Sequence, residues 1–322
     1  MHGWGWLPAI YLFLGGVGAG ALIIAAAFEF LITRSEDEFC PTVLVGATLP
    51  GPLVILGTIL LIFDLGAGLR EPWRIPYMFT HFTSVMTWGV WLLTFFIPVS
   101  LVYGFLEVLD SFPAARDWLR ARQWLGWTRF LWNLPLRRTK RVFAGVGAVL
   151  AVGVGTYTGL LLSAVGPAIP FWSTPAFPNL HIPLLPLLFL VSAISTGEAL
   201  TVDLAATLFV DGRIPRGRRV HLIHLAVITA EALLISHLLI HAFGEGGAAA
   251  ASAWEIALGR HSLVFWIFII LLAIIFPFVG HLYAAGLGRH LMPSGISSGI
   301  SILLSGLFLR YLILVSGIHA FL

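Results

Sequence analysis

Runs of twenty or more mostly apolar residues recur along the whole chain, broken by short charged or Pro-rich stretches. Each is long enough to cross roughly 30 Å of hydrocarbon as a helix. The pattern leaves few options, because backbone polar groups in lipid must be satisfied inside helices or closed barrels. It predicts eight transmembrane helices, over residues 6–33, 42–66, 81–109, 142–164, 183–209, 219–243, 261–285 and 296–321. Charged residues make up only 10% of the 322, against about 25% in a soluble domain. The chain is therefore read as an all-α integral membrane protein, and its net charge of +3 carries no nucleic-acid signal. The first run, Trp6 to Ile32, is too long for the apolar part of a signal peptide and lacks a basic leader. It is expected to remain as the first helix.

Where the charges sit is more informative than their sum. When the sides are assigned by alternation, 14 of the 18 Lys and Arg residues fall on one side. These are Arg34, the eight between Arg116 and Arg141, then Arg213, Arg216, Arg218, Arg219 and Arg289. Arg70, Arg74 and Arg260 lie on the other side, and Arg310 lies within the eighth helix. The positive-inside rule places the basic side in the cytoplasm and both termini outside it. Residues 1–111 then hold three helices and 112–141 form a cytoplasmic loop. A fourth helix follows at 142–164, an external loop at 165–182, and four more helices at 183–322. The 112–141 segment interleaves Trp118, Trp124, Trp127, Phe130 and Trp132 with Arg116, Arg120, Arg122 and Arg129. That mixture suits an amphipathic segment lying in the headgroup layer, aromatics dipping in and guanidiniums on lipid phosphates.

Metal chemistry finds little footing. Cys40 is the one cysteine, so this protein alone cannot supply a four-cysteine iron–sulfur cluster. His237 and His241 share a helix face, a spacing that suits metal or haem. No matched histidine pair recurs on a second helix, and no metal site is expected. The run Gly15-Gly16-Val17-Gly18-Ala19-Gly20 imitates a dinucleotide fingerprint, but it lacks a preceding strand and lies within a membrane helix. Close helix packing is the better reading.

Two polar groups stand out against the apolar background. Tyr11 lies about 7.5 Å inside the first helix and Tyr157 about 9 Å from the end of the fourth, at 1.5 Å per residue. Asp64 near the end of helix two and His81 at the start of helix three share that layer, with Arg70 and Trp88 close in sequence. Each aromatic or histidine has an ordinary reading as an interfacial belt residue. Asp64 needs a partner near hydrocarbon, and Arg70 is available. The second group is Glu198, Glu231 and Arg310, each near the middle of its expected helix. Burying one unpaired costs roughly 2.5–3.5 kcal/mol on insertion scales, so the three are expected to face one another. Asp203, His224 and His237 extend this group toward the surfaces. A structural ion-pair network and a proton-transfer track both fit.

Several stretches, taken in order, resemble the NrfD/PsrC-type membrane subunits of polysulfide-reductase-like and related iron–sulfur molybdoenzyme complexes. They are Trp6 to Gly16; Asp64-Leu65-Gly66 with Arg70; Ser84 to Trp91; Tyr157 to Ser163 followed by Pro170 and Trp172; Pro186 to Phe189 with Ser195-Thr196-Gly197; and Arg310-Tyr311. The resemblance spans all eight helices. It implies two four-helix bundles in a prokaryotic inner membrane, no haem or iron–sulfur cluster in this protein, and a menaquinone or ubiquinone site in the first bundle on the periplasmic side. It further implies a docked ferredoxin-like iron–sulfur subunit and, beyond it, a molybdopterin-type catalytic subunit. The family's site tyrosine on helix four falls on Tyr157, and a helix-one histidine found in some members falls on Tyr11. Quinone contacts are thereby expected from Tyr11, Asp64, Arg70, His81, Trp88 and Tyr157. Two other classes remain open: a proton-coupled secondary transporter centred on Glu198, Glu231 and Arg310, and a passive membrane anchor for a redox enzyme.

Overall fold

The computed structural model describes residues 5–31, 40–65, 72–121, 135–177, 180–203, 205, 209, 218–287 and 292–320. Eight helices within them are long and apolar enough to cross a membrane. In chain order they are α1 (Trp6–Leu31), α2 (Pro41–Phe63), α3 (Val85–Ser111), α4 (Leu136–Ser163), α5 (Leu185–Asp203), α6 (Val220–Glu245), α7 (Ser262–Tyr283) and α8 (Ser297–Val315). They define two ends of the molecule, called here the Trp6 end and the Lys140 end.

Several helix boundaries differ from expectation, each for a local reason. Helix α3 starts at Val85 rather than 81, because Pro72–Phe79 with Pro76 inside it forms a 3-10 turn ahead of it. Helix α4 starts at Leu136 rather than 142, so Lys140 and Arg141 belong to its opening turns and not to a loop. A short helix, Pro113–Arg120, follows α3, where Arg116 donates from Nε (3.3 Å) and Nη2 (2.9 Å) to the open carbonyl of Leu109. A cation there satisfies a helix C-terminus. Trp124, Trp127, Phe130, Trp132, Arg122 and Arg129 lie outside the described residues. Helix α8 ends at Val315 and stops short of 321. Beyond it, the Ala320 N–H donates to Ala168 O at 2.9 Å.

Helices pack through small residues, as expected where lipid removes the hydrophobic drive between them. A Cβ added to Gly20 of α1 would stand 1.7 Å from Ala193 O of α5, and one added to Gly197 would stand 2.2 Å from the carbonyl carbon of Gly20. The two backbones are therefore in contact. The glycine-rich run of α1 serves three neighbours at once: Gly16 faces Arg310 of α8, Gly18 faces Val54 and Pro50 of α2, and Gly20 faces α5. Two apolar clusters result. One draws on α1 to α4 through Leu22, Val43, Phe96 and Val154. The other centres on Trp172, Phe189, Leu238, Ile269 and Leu312. At the Trp6 end a two-stranded hairpin, β1 (Pro175–Phe177) with β2 (Leu180–Pro183), joins α4 to α5. Fully buried Trp172 anchors its approach by donating from Nε1 to Ile313 O at 2.8 Å.

Candidate functional site

Tyr11 and Tyr157 come together at the Trp6 end, both 3% exposed. Their phenol groups are electrostatic neighbours. The floor beneath them is built from absent side chains. A Cβ on Gly89 of α3 would lie 1.7 Å from Cζ and 2.2 Å from the hydroxyl of Tyr157, so that ring rests on bare backbone. Tyr11 packs on α2, where a Cβ on Gly57 would approach its Cδ2 to 3.5 Å. Four helices thus converge on the two tyrosines. Gly89 escaped the sequence reading, because a glycine inside an apolar run gives no sign of which side chain lies on it.

The other residues of that layer are placed differently. His81 is exposed, with Nδ1 3.1 Å from Tyr77 O and 3.3 Å from Thr80 Oγ1. Trp88 is 56% exposed and donates from Nε1 to Phe82 O at 3.0 Å. Trp91 reaches Phe79 O in the same manner at 3.2 Å. These two indoles pin the 72–84 segment to α3 and leave Trp73, Tyr77, Phe82 and Trp88 as an exposed aromatic rim. The side chain of Asp64 and the whole of Arg70 lie outside the described residues.

A second polar constellation runs lengthwise through α5 to α8. Arg310 is fully buried. It donates from Nε to Leu12 O (3.1 Å), and from Nη1 to Gly306 O (2.8 Å) and Ser192 Oγ (3.3 Å). Its guanidinium also lies over Phe189 at 5.4 Å and near Phe13 at 6.0 Å, a favourable site for a cation. Glu231 feels the charges of Arg310 and His224 and faces Ser192 and Ser195. Glu198 instead pairs with His224, Oε2 to Nδ1 at 2.9 Å. Asp203, in the π-helical turn Ala199–Asp203, adds its negative charge to that of Glu198 around His224.

The expected single layer is thus a ladder. Arg310 sits near the Trp6 end of α8, level with Leu12, because its helix ends at Val315. Glu198 is close to the opposite end of α5. Two histidines missing from the sequence reading complete the lower rungs. The His281 ring stacks on His224 with centroids 3.9 Å apart. Its Nδ1 lies 3.0 Å from His221 Nδ1. The three-residue spacing of His221 and His224 was the available signal. His237 stands apart from this ladder, 3.2 Å from Pro175 O at the Trp6 end.

At the Lys140 end a third group appears that the sequence had hidden in a loop. Lys140 is 1% exposed and contacts Glu107 at 2.9 Å, Glu29 at 3.5 Å and Asp110 at 2.5 Å. Among the described residues no group of three or more His, Cys, Asp or Glu side chains is arranged to hold a metal ion.

The family model for polysulphide reductase, NrfD, matches residues 2–321 of this protein. The chain belongs to the NrfD family. Its relatives include the C subunit of polysulfide reductase from Wolinella succinogenes, 31% identical over 98% of the present sequence and 94% of that protein. Protein NrfD of Escherichia coli is 30% identical, again over 98% of the present sequence and 94% of that protein. A Haemophilus influenzae NrfD homologue is 26% identical with the same coverage of 98% and 94%. Membership extends over all eight spans, so both polar constellations lie within NrfD-family sequence.

Proposed function

We propose that this NrfD-family protein is the quinone-reactive membrane subunit of a respiratory oxidoreductase. It exchanges electrons and protons between the quinone pool and an iron–sulfur subunit docked at the Trp6 end. The reading rests chiefly on the buried Tyr11–Tyr157 pair seated on Gly89. Kinship with a subunit of a polysulfide reductase supports it. By the positive-inside rule the Trp6 end is periplasmic, in a prokaryotic inner membrane. Helices α1–α4 form the quinone bundle in this reading, and a molybdopterin-type catalytic subunit lies beyond the iron–sulfur partner.

A quinone headgroup is a flat ring with two carbonyl oxygens, and when bound it supplies two-electron, two-proton chemistry. The residues present fit it. Tyr11 and Tyr157 offer buried hydroxyl donors, and a hydrogen bond made there gains from low dielectric. Gly89 lets the Tyr157 ring lie against backbone and fixes the height of its hydroxyl. The exposed rim of Trp73, Tyr77, Phe82 and Trp88 offers apolar surface beside the site, suited to a polyprenyl tail or to the docked partner. Asp64 is proposed to exchange protons with water there, with Arg70 as its ion-pair partner and His81 as a hydrogen-bond donor.

The test deletes one hydroxyl. Tyr157→Phe keeps the ring on Gly89 and removes only the donor. Losing a donor that acts mainly in the transition state costs about 3 kcal/mol, or on the order of a hundredfold in rate. Quinone-linked turnover of the whole complex is expected to fall by that order, while turnover with a soluble mediator holds. Equal loss in both assays would mean failed assembly. No loss in either returns Tyr157 to an ordinary interfacial aromatic.

A further inference from the structure

We propose that α8 positions Tyr11: Tyr311 and Arg310 grip the first two turns of α1 and hold the Tyr11 hydroxyl at the height the quinone site requires. The inference deepens the quinone reading and rests on it. It adds two positioning residues from the other half of the molecule, which act through Tyr11 and not on the quinone itself.

The two tyrosines are seated unequally. Tyr157 is wedged, since a Cβ on Gly89 would stand 1.7 Å from its ring. The matching distance from Gly57 to the Tyr11 ring is 3.5 Å, an ordinary contact across which a ring can slide. Tyr11 also stands five residues from Trp6, where α1 begins. Helix ends fray unless something ties them down. Tyr11 therefore needs a tie that Tyr157 does not.

Two consecutive residues of α8 supply it, one on either side of Tyr11. The Tyr311 ring stacks on Trp6, with centroids 3.9 Å apart and planes 11° apart. Phe308 meets the same indole edge-on at 5.8 Å and is itself stacked on Phe268 of α7 at 3.9 Å. Beyond Tyr11, Arg310 donates from Nε to Leu12 O at 3.1 Å. In a helix that carbonyl points toward the residue four further on, and here that residue is Gly16. A Cβ on Gly16 would lie 2.3 Å from Arg310 Nη2. The guanidinium reaches the carbonyl because Gly16 has no side chain. The gripping stretch is fixed in turn, since Trp172 donates to Ile313 O at 2.8 Å. Trp172 follows α4, the helix that carries Tyr157. One stretch of α8 thus serves as the reference for both tyrosines.

Ordinary helix packing accounts for this less well. Trp6 is 46% exposed, so its stack on Tyr311 adds little to the buried core and acts chiefly on the first turn of α1. Arg310 is fully buried, yet it spends a charged donor on a carbonyl that already serves the α1 ladder.

The experiment uses the intact complex and compares quinone-linked turnover with turnover through a soluble mediator. Tyr311→Leu keeps bulk and loses the flat ring. It is expected to lower quinone-linked kcat/KM about tenfold, because a misplacement of about 1 Å can cost up to about a hundredfold, while mediator turnover holds. Tyr311→Phe keeps the ring and is expected to recover the loss. The decisive arm is the Tyr11→Phe background. With that hydroxyl gone, adding Tyr311→Leu is expected to change quinone-linked turnover by less than about twofold, since both changes act through one group. Should Tyr311→Leu fail to assemble, Trp6→Leu removes the same stack from its exposed side, and the same pattern is expected. Parent-like quinone-linked kcat/KM in an assembled stack variant, or a loss that persists in full in the Tyr11→Phe background, overturns the grip and leaves the quinone reading intact. Equal loss in both assays, or failure of both stack variants to assemble, assigns the stack to folding and overturns the grip as well. A parent with no quinone-linked turnover removes both.

Discussion

Lys140 illustrates how a single residue can organise one end of a membrane protein. It is buried among Glu29, Glu107 and Asp110, which come from α1 and α3. Removing one partner of a buried ion pair costs about 3–5 kcal/mol, because the other charge stays behind. Lys140→Met is therefore expected to lower the thermal midpoint and the folded yield of the detergent-purified complex. Adding Glu107→Gln is expected to restore part of both, and a Lys140→Met variant as stable as the parent would mean these carboxylates do not need it. None of this was legible in the sequence. The contacts join residues 30 to more than 100 positions apart, and a basic run beside tryptophans reads as a loop. By contrast, depth counting from helix ends brings Tyr11 and Tyr157 to one level without any structure. The same counting cannot distinguish Trp88, which turns outward, because depth is set by position along a helix and exposure by position around it.

At the scale of elements, the α1–α5 crossing holds the two polar constellations in register. Its closeness depends on Gly20 and Gly197, whose missing Cβ atoms let the backbones touch. Overpacking a filled interior costs about 1–3 kcal/mol and more where backbone must move. Gly197→Val is expected to reduce the folded, monodisperse fraction in size-exclusion chromatography. Gly244→Val is the control, since a Cβ there meets nothing within 4 Å. If both behave alike, the crossing is not the constraint claimed. The eight spans themselves were legible because an apolar run of this length has one stable fate in a bilayer. Their internal departures were not. The π-helical stretches Ala199–Asp203 and Phe265–Ile275 leave no mark in hydrophobic periodicity. They re-aim the residues that follow, as π-bulges do at functional sites. One such residue is His281, six residues beyond Ile275.

The whole molecule is ordered by which face meets which compartment, and the functional reading depends on it. Fourteen of 18 basic residues fall on the Lys140 side by alternation and three on the other. Translocating Lys and Arg during insertion is unfavourable, and on that ground the Lys140 end is proposed to lie in the cytoplasm. In the proposed orientation the tyrosine pair, the aromatic rim and the β-hairpin face the periplasm, where an iron–sulfur partner is proposed to dock. One measurement decides all of these at once. Reporter fusions after Arg216 are expected to be active only as cytoplasmic reporters, and fusions after Asn179 only as periplasmic ones. The reverse result would put the tyrosine pair on the cytoplasmic side. The partner at the Trp6 end would then be a cytoplasmic protein, since the distance from Tyr11 to that end of its helix is about one and a half helical turns and does not change with orientation.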